Sequence, residues 1–431
     1  MVAVGFTLQP EVEFLELCDR LIREEVDYYE VAPETTWRLR ADGGFDDNGY
    51  HRRFRALARE TGRFFVAHGV GFSVGSTATR DRARRRRWLQ RLAADQAQLR
   101  YRWYTDHLGA SAPDGLAATL PLPLPLSATL ARVVGRRLTE MARVVGDVGV
   151  ENNVAYFLLG APLDEASLYA ACARGPRRHL LLDLHNLFTM SVNHGIDPEA
   201  WLARVPLERV IEIHVSGGAD ADPAWVPSRR TLRLDSHDAA VPEEVWRLLE
   251  RVLPRCPSLR GVTLERMEGT VTAADVPALV DEVRRARALV RAAARRPAVA
   301  PPTSPWNDAA LAREELGAWE ATVTRLVLSR DPVAELGRLR RSRAVPAALR
   351  RRLAQADVDG VVLTSLLVAR LRFERLLRGS PAAEAWFDDD APGFAAAFKR
   401  YHTEVPPTAF FPPDEADLFE SWRRADIAKS A

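Results

Sequence analysis

Cysteine and lysine are almost missing from this chain: Cys18, Cys172 and Cys256 are its three cysteines, and Lys399 and Lys429 its only lysines. Cysteines that are few, scattered and odd in number exclude a disulfide framework and a CxxC metal site, and point to a reducing compartment. With so little lysine, nearly all positive charge is arginine, which genome composition explains as readily as function. An excess of charge is missing too. The 60 basic and 58 acidic residues leave a formal net charge of +2, which argues against a protein that binds nucleic acid chiefly by bulk charge. No apolar run is long enough to cross a bilayer, and the opening MVAVGFTLQPEVEFLE lacks the basic start and cleavage site of a signal peptide. The expectation is a soluble, cytoplasmic protein with no nucleic-acid or membrane partner.

What is present is a hydrophobic content of 47% in 431 residues, enough for a large core and, on length, for two domains. Up to about residue 290, short apolar runs alternate with longer stretches of helical spacing, the pattern of parallel strands joined by crossover helices. Eight strands are predicted, in AVGFTL, DYYEVAP, RFFVAHGV, RYRWYTDHL, VGVENNV, HLLLDLHNL, VIEIHVSGG and GVTLERME. Eight strand–helix units in a segment of this length predict an α/β fold, a (β/α)8 TIM barrel over residues 1–292. A doubly wound sheet is the rival, but no Gly-rich phosphate fingerprint follows the first strand. LPLPLPL at 120–126 cannot be a regular helix and predicts an extended insertion after the fourth strand. Residues 293–307, rich in proline and alanine, read as a linker. Residues 308–431 are mainly helical in pattern and contain a single histidine, His402, so the chemistry is placed in the barrel.

In such a barrel the C-terminal strand ends converge on one mouth. Glu30, His68, His107, Glu151, Asp183, His214 and Glu265 fall at those ends, and the insertion LDSHDAAV adds Asp235 and His237. A single strand histidine is more often structural than a ligand. Acids and histidines recurring at the same end of successive strands suit a mouth that gathers carboxylate oxygens and imidazole nitrogens. A set of His, Asp and Glu without cysteine favours iron, manganese or zinc over a thiolate-bound structural zinc, and the groups are too many for one ion. A cluster of two or three metals follows, with Glu151 placed to bridge because a carboxylate offers two oxygens. Asn152, Asn153, His185, Asn186, Asn193 and His194 are either further ligands or hydrogen-bonding groups that orient ligands.

The ordered motifs HGVGFSVGS, ENNVAY, LDLHNLFTMSVNHGIDP, EIHVSGG, DSHDAAVPEEVW and LERMEG resemble the DUF692 family. These are the multinuclear non-heme iron-dependent oxidative enzymes that modify ribosomally made peptides. The resemblance implies a xylose-isomerase-like barrel holding two or three iron ions, with dioxygen as co-substrate and a precursor peptide oxidised at Cys, Asp or a similar residue. Carried over by motif, the iron ligands are His68, His107, Glu151, Asp183, His214, Asp235, His237 and Glu265, with Asn153, His185, Asn193 and His194 as further ligands or supports. The chain departs from the commonest pattern at His185, where asparagine is frequent, and at HVSGG. Members commonly work with a separate partner protein that grips the precursor. Residues 308–431 resemble such helical partner or DUF2063-like domains, fused in cis. RLRRSR and LRRRL are suited to an acidic leader peptide, with Trp386, Phe387, Phe410 and Phe411 as apolar anchors or as core. The competing readings are a divalent-metal sugar isomerase or abasic-site endonuclease on the same barrel, and a non-catalytic metal-dependent peptide-binding protein.

Overall fold

The computed structural model of the protein describes residues 2–293 and 313–430, so the linker expected at 293–307 lies, from 294 onward, outside the described residues. Eight parallel strands close into a barrel: β1 Ala3–Thr7, β2 Tyr28–Val31, β3 Phe64–Gly69, β4 Tyr104–His107, β5 Val148–Glu151, β6 Arg178–Asp183, β7 Val210–Val215 and β8 Gly261–Leu264. Each strand pairs with its neighbour in sequence, and β8 closes on β1. Val, Ile, Leu and aromatic residues fill these segments because a barrel strand is buried on both faces, against the interior and against the outer helices. β7 and β8 are buried at every position.

Strand alternation then decides which side chains meet inside. Tyr28, Val66 and Trp103 pack together low in the barrel. Glu30, His68 and Thr105 each lie two residues further along the same strands, so they rise on the same inward face. Register completes the arrangement: His107 lies beside Glu151 across β4 and β5, and Asp183 beside His214 across β6 and β7.

One local outcome differs from the sequence reading. The run LHNL after Asp183 opens the helix Leu184–His194 instead of extending β6, because the Asp183 side chain caps it by accepting from the Asn186 amide at 2.6 Å. At the other end of the chain, Pro412–Ser430 forms a full helix of 19 residues. The LPLPLPL insertion is extended as expected, and its alternate residues Leu122, Leu124 and Leu126 are buried.

Seven helices make up 313–430. Leu316, Trp319, Val323 and Leu326 of the first continue the hydrophobic core of the barrel. A second, smaller core of Leu376, Phe394, Phe398, Tyr401 and Phe419 holds the last helices together. The proposed anchors are used in packing: Trp386 and Phe387 meet Phe394, while Phe410 and Phe411 lie against Trp88 and Phe45 of the barrel. Among the described residues no helix is long and apolar enough to cross a membrane, and Cys18, Cys172 and Cys256 are buried and unpaired.

Candidate metal centre

All eight residues first proposed as ligands gather at the C-terminal mouth, and His185 joins them. Three positions can be traced, each a set whose ligand atoms lie within 4.8 Å of one another. His68, His107 and Glu151 form one, Glu151, Asp183, His214 and Glu265 the second, and His185, Asp235 and His237 the third. Carboxylates connect them. Glu151 turns Oε2 toward His68 Nε2 (3.3 Å) and His107 Nε2 (3.1 Å), and Oε1 toward His214 Nδ1 (3.8 Å). Glu265 Oε2 lies 3.0 Å from His214 Nδ1 and 3.8 Å from His237 Nδ1.

The imidazoles are fixed from behind. His107 Nδ1 donates to the Gly69 carbonyl at 3.0 Å, and His68 Nδ1 meets Thr105 Oγ1 at 2.9 Å, so each presents Nε2 to Glu151. His214 is held the other way round: Nε2 faces Glu30 Oε2 at 2.9 Å, which turns Nδ1 into the site. Glu212, two residues before His214 on the same inward face, lies next to this contact with its carboxylate engaged by Trp103 Nε1 (2.6 Å) and Thr263 Oγ1 (2.8 Å). Sequence reasoning passed over Glu212 as part of an apolar run; its two-residue spacing from His214 was the available signal.

The chemistry of the set fits cations. Glu151 Oε2, Asp183 Oδ2, His214 Nδ1 and Glu265 Oε2 are buried and, among the described residues, meet their neighbours at ion-pair distance without a well-directed hydrogen bond, although buried polar atoms are ordinarily paired. Asp183 Oδ2 and Glu265 Oε2 lie 4.0 and 3.0 Å from His214 Nδ1 at one position, while Glu151 Oε2 faces the neighbouring one, so these atoms suit the donor sets of adjacent cations. Charge agrees. Burial pushes Glu151 up to about 7 against the pull of His107. Burial, Glu151 and Glu265 drive Asp183 well above the usual carboxylate range. Burial lowers His68 and His107, leaving neutral imidazoles suited to ligation. Burial opposes the charge on His237, yet Asp235 and Glu265 outweigh it and raise the imidazole to about 10. Crowded carboxylates of this kind are relieved by positive charge.

The surrounding polar residues divide by role. Asn152 clasps the backbone of Asp183 in both directions at 2.9 Å, and Asn186 donates to the Asn152 carbonyl at 3.1 Å. Asn193 binds the backbone of Arg233, and His194 meets the Ala155 carbonyl at 2.6 Å, so both support loops away from the ligand sets. Among the described residues, neither polar atom of the buried Asn153 side chain has a hydrogen-bond partner. Gly218, just past His214, lets the DSHD segment approach: a Cβ there would sit 2.3 Å from the Leu234 carbonyl oxygen.

A family model described as RiPP precursor modification enzyme MbnB/TglH/ChrH matches residues 3–291. A UPF0276 protein of Rhizorhabdus wittichii is 34% identical over 233 residues, covering 54% of this chain and 78% of that protein. A UPF0276 protein of Pseudomonas aeruginosa is 31% identical over 264 residues, covering 60% and 84%. Among solved structures, D-psicose 3-epimerase from Clostridium cellulolyticum H10 aligns at a TM-score of 0.45 and 10% identity, covering 68% of this chain and 100% of that one.

Proposed function

The chain belongs to the family of RiPP precursor modification enzymes MbnB/TglH/ChrH, the DUF692 type, and from that premise we propose that its barrel oxidises a residue of a ribosomally made precursor peptide with iron and dioxygen. The observation that carries the reading is Glu151, a buried carboxylate whose two oxygens face different imidazoles, His68 and His107 on one side and His214 on the other. One carboxylate shared between two imidazole sets is the arrangement a multinuclear centre needs, since each oxygen can serve a different cation. His68 and His107 would hold one iron with Glu151, and Asp183, His214 and Glu265 would hold its neighbour with the same carboxylate. His185, Asp235 and His237 would hold a third. Bound ferrous iron supplies the redox chemistry with dioxygen that closed-shell side chains lack.

The chain's own residues prepare that chemistry. Glu30 and Thr105 set the ring orientation of His214 and His68 before any ion arrives. Asn152 and Asn186 lock the end of β6 to the segment after β5, so that Asp183 and Glu151 keep their separation without reorganising. The exposed arginines Arg341, Arg343 and Arg351 would attract an acidic leader. A helical unit in the same chain would then raise the concentration of captured peptide at the barrel mouth.

The test is a mass measurement. The protein is loaded anaerobically with ferrous iron and given the peptide encoded by a short reading frame beside its gene, with and without dioxygen. An oxygen-dependent mass change supports the reading. No change, or tightly bound zinc with phosphodiesterase activity, would overturn it.

A further inference from the structure

The helical unit 313–430 grips the barrel at loop after loop of the mouth. Glu320 is buried and accepts from the Thr77 amide (2.6 Å), the Ala78 amide (2.9 Å) and the Ser76 hydroxyl in the loop after β3. Arg352 donates to the Leu159 carbonyl at 2.7 Å in the loop after β5, and Arg378 pairs with Glu268 after β8. These ties link the unit to segments that follow ligands.

A further tie falls on the segment that carries Asp235 and His237. Asp359, buried in the first turn of the helix Val358–Gly379, accepts from the Ser228 amide at 3.1 Å, the Ser228 hydroxyl at 2.5 Å and Arg230 Nε at 3.0 Å. Arg230 reaches on to the Asn193 carbonyl at 3.3 Å, and the Asn193 side chain clasps the backbone of Arg233, two residues before Asp235. The neighbouring residue makes a second connection. Gly360 lies so close to the segment after β5 that a Cβ would stand 1.7 Å from the Tyr156 carbonyl oxygen. The Tyr156 hydroxyl in turn accepts from the Asp235 amide at 3.2 Å. Two consecutive residues of the helical unit therefore anchor both supports of Asp235.

The segment needs anchoring because it is strained. Arg229, between the two residues Asp359 holds, has φ 59°, and His237 has φ 51°, both in the left-handed region that side chains other than glycine rarely adopt. Such conformations persist only where the surroundings impose them. We infer that Asp359 and Gly360 are positioning residues for the His185/Asp235/His237 position, so that the C-terminal helical unit forms part of the frame of the metal centre. The inference rests on the metal reading of the barrel and goes beyond leader capture.

The experiment titrates the full chain anaerobically with ferrous iron alone, counts bound ions, and follows hydrogen exchange at residues 228–240. The variants are Asp359→Ala, Ser228→Ala, Gly360→Ala and Asp235→Ala. Asp359→Ala and Gly360→Ala are expected to lose the same ion that Asp235→Ala loses, or to hold it at least about tenfold more weakly, with faster exchange confined to 228–240. Asp359→Ala added to Asp235→Ala should cost no further ion. Ser228→Ala removes one hydroxyl and carries the same expectation at about threefold if the larger changes prevent folding. Wild-type ion count, affinity and exchange in the variants would overturn the inference, as would an equal weakening of every ion with faster exchange throughout the barrel. A wild-type chain that binds no ferrous iron would instead remove the metal reading itself.

Discussion

Nε2 of His214 lies 2.9 Å from Oε2 of Glu30, a contact that spans the barrel from β7 to β2 and decides which imidazole nitrogen meets the ligand carboxylates. Burial raises Glu30 to about 7, with His214 opposing. Glu30→Ala removes the 2.9 Å contact and leaves Nε2 with the more distant Glu212 Oε1 at 3.8 Å, so the ring is held less firmly. Loss of a group that orients a ligand typically costs about 10–100-fold in metal affinity. A chelator-competition titration with ferrous iron should show a drop of that size with an unchanged far-ultraviolet circular dichroism spectrum.

The helical unit has its own buried ionic hub. Glu415, fully buried, accepts from Arg372 Nε at 2.7 Å, lies 3.3 Å from Arg375 Nη2 and receives the Tyr401 hydroxyl at 2.5 Å. Arg372 is as deeply buried as its partner. Removing one member of such a set leaves uncompensated buried charge, so Glu415→Ala is expected to cost about 3–5 kcal/mol. Urea unfolding followed by circular dichroism measures it, and a loss below about 1 kcal/mol would contradict the assignment of this hub.

Glu165 gives a pH signature. Its carboxylate accepts from Trp201 Nε1 at 2.5 Å, yet burial outweighs that bond and pushes it up to about 7 from an ordinary value of 4.5. A raised carboxyl contributes stability that is fully present below 4.5 and is lost as pH rises through about 7. Glu165→Gln keeps an acceptor for Trp201 and cannot ionise. Relative to the parent chain it should gain nothing near pH 4 and up to about 3 kcal/mol near pH 8. Urea melts at the two pH values test this, and the same difference at both would be the contrary result.

The strand ends were legible because a closed parallel barrel leaves little freedom: once eight units are counted, the acids and histidines closing each apolar run must converge. His68, His107, Glu151, Asp183, His214 and Glu265 were found on that logic alone. Asp235 and His237 needed the insertion to fold back, for which DSHD offered a motif but no periodicity. His185 was harder to place, since LHNL reads as more strand and only the Asp183 cap turns it into a helix. Glu212 was hidden by burial, being a charged residue inside a run that packs like its apolar neighbours. The grip of the helical unit on the mouth lay beyond sequence reasoning. Glu320 and Ser76 are separated by 244 residues, and no local pattern couples positions so far apart.

The central claim is that the barrel mouth holds more than one iron, with Glu151 shared between two of them. Counting the iron retained after anaerobic ferrous loading and desalting, in the parent chain and in Glu151→Ala, tests it most directly. The account predicts more than one tightly held iron per chain, and in the variant a weakening at both positions that Glu151 serves. A single iron in the parent chain, or an unchanged count and affinity in Glu151→Ala, would contradict it.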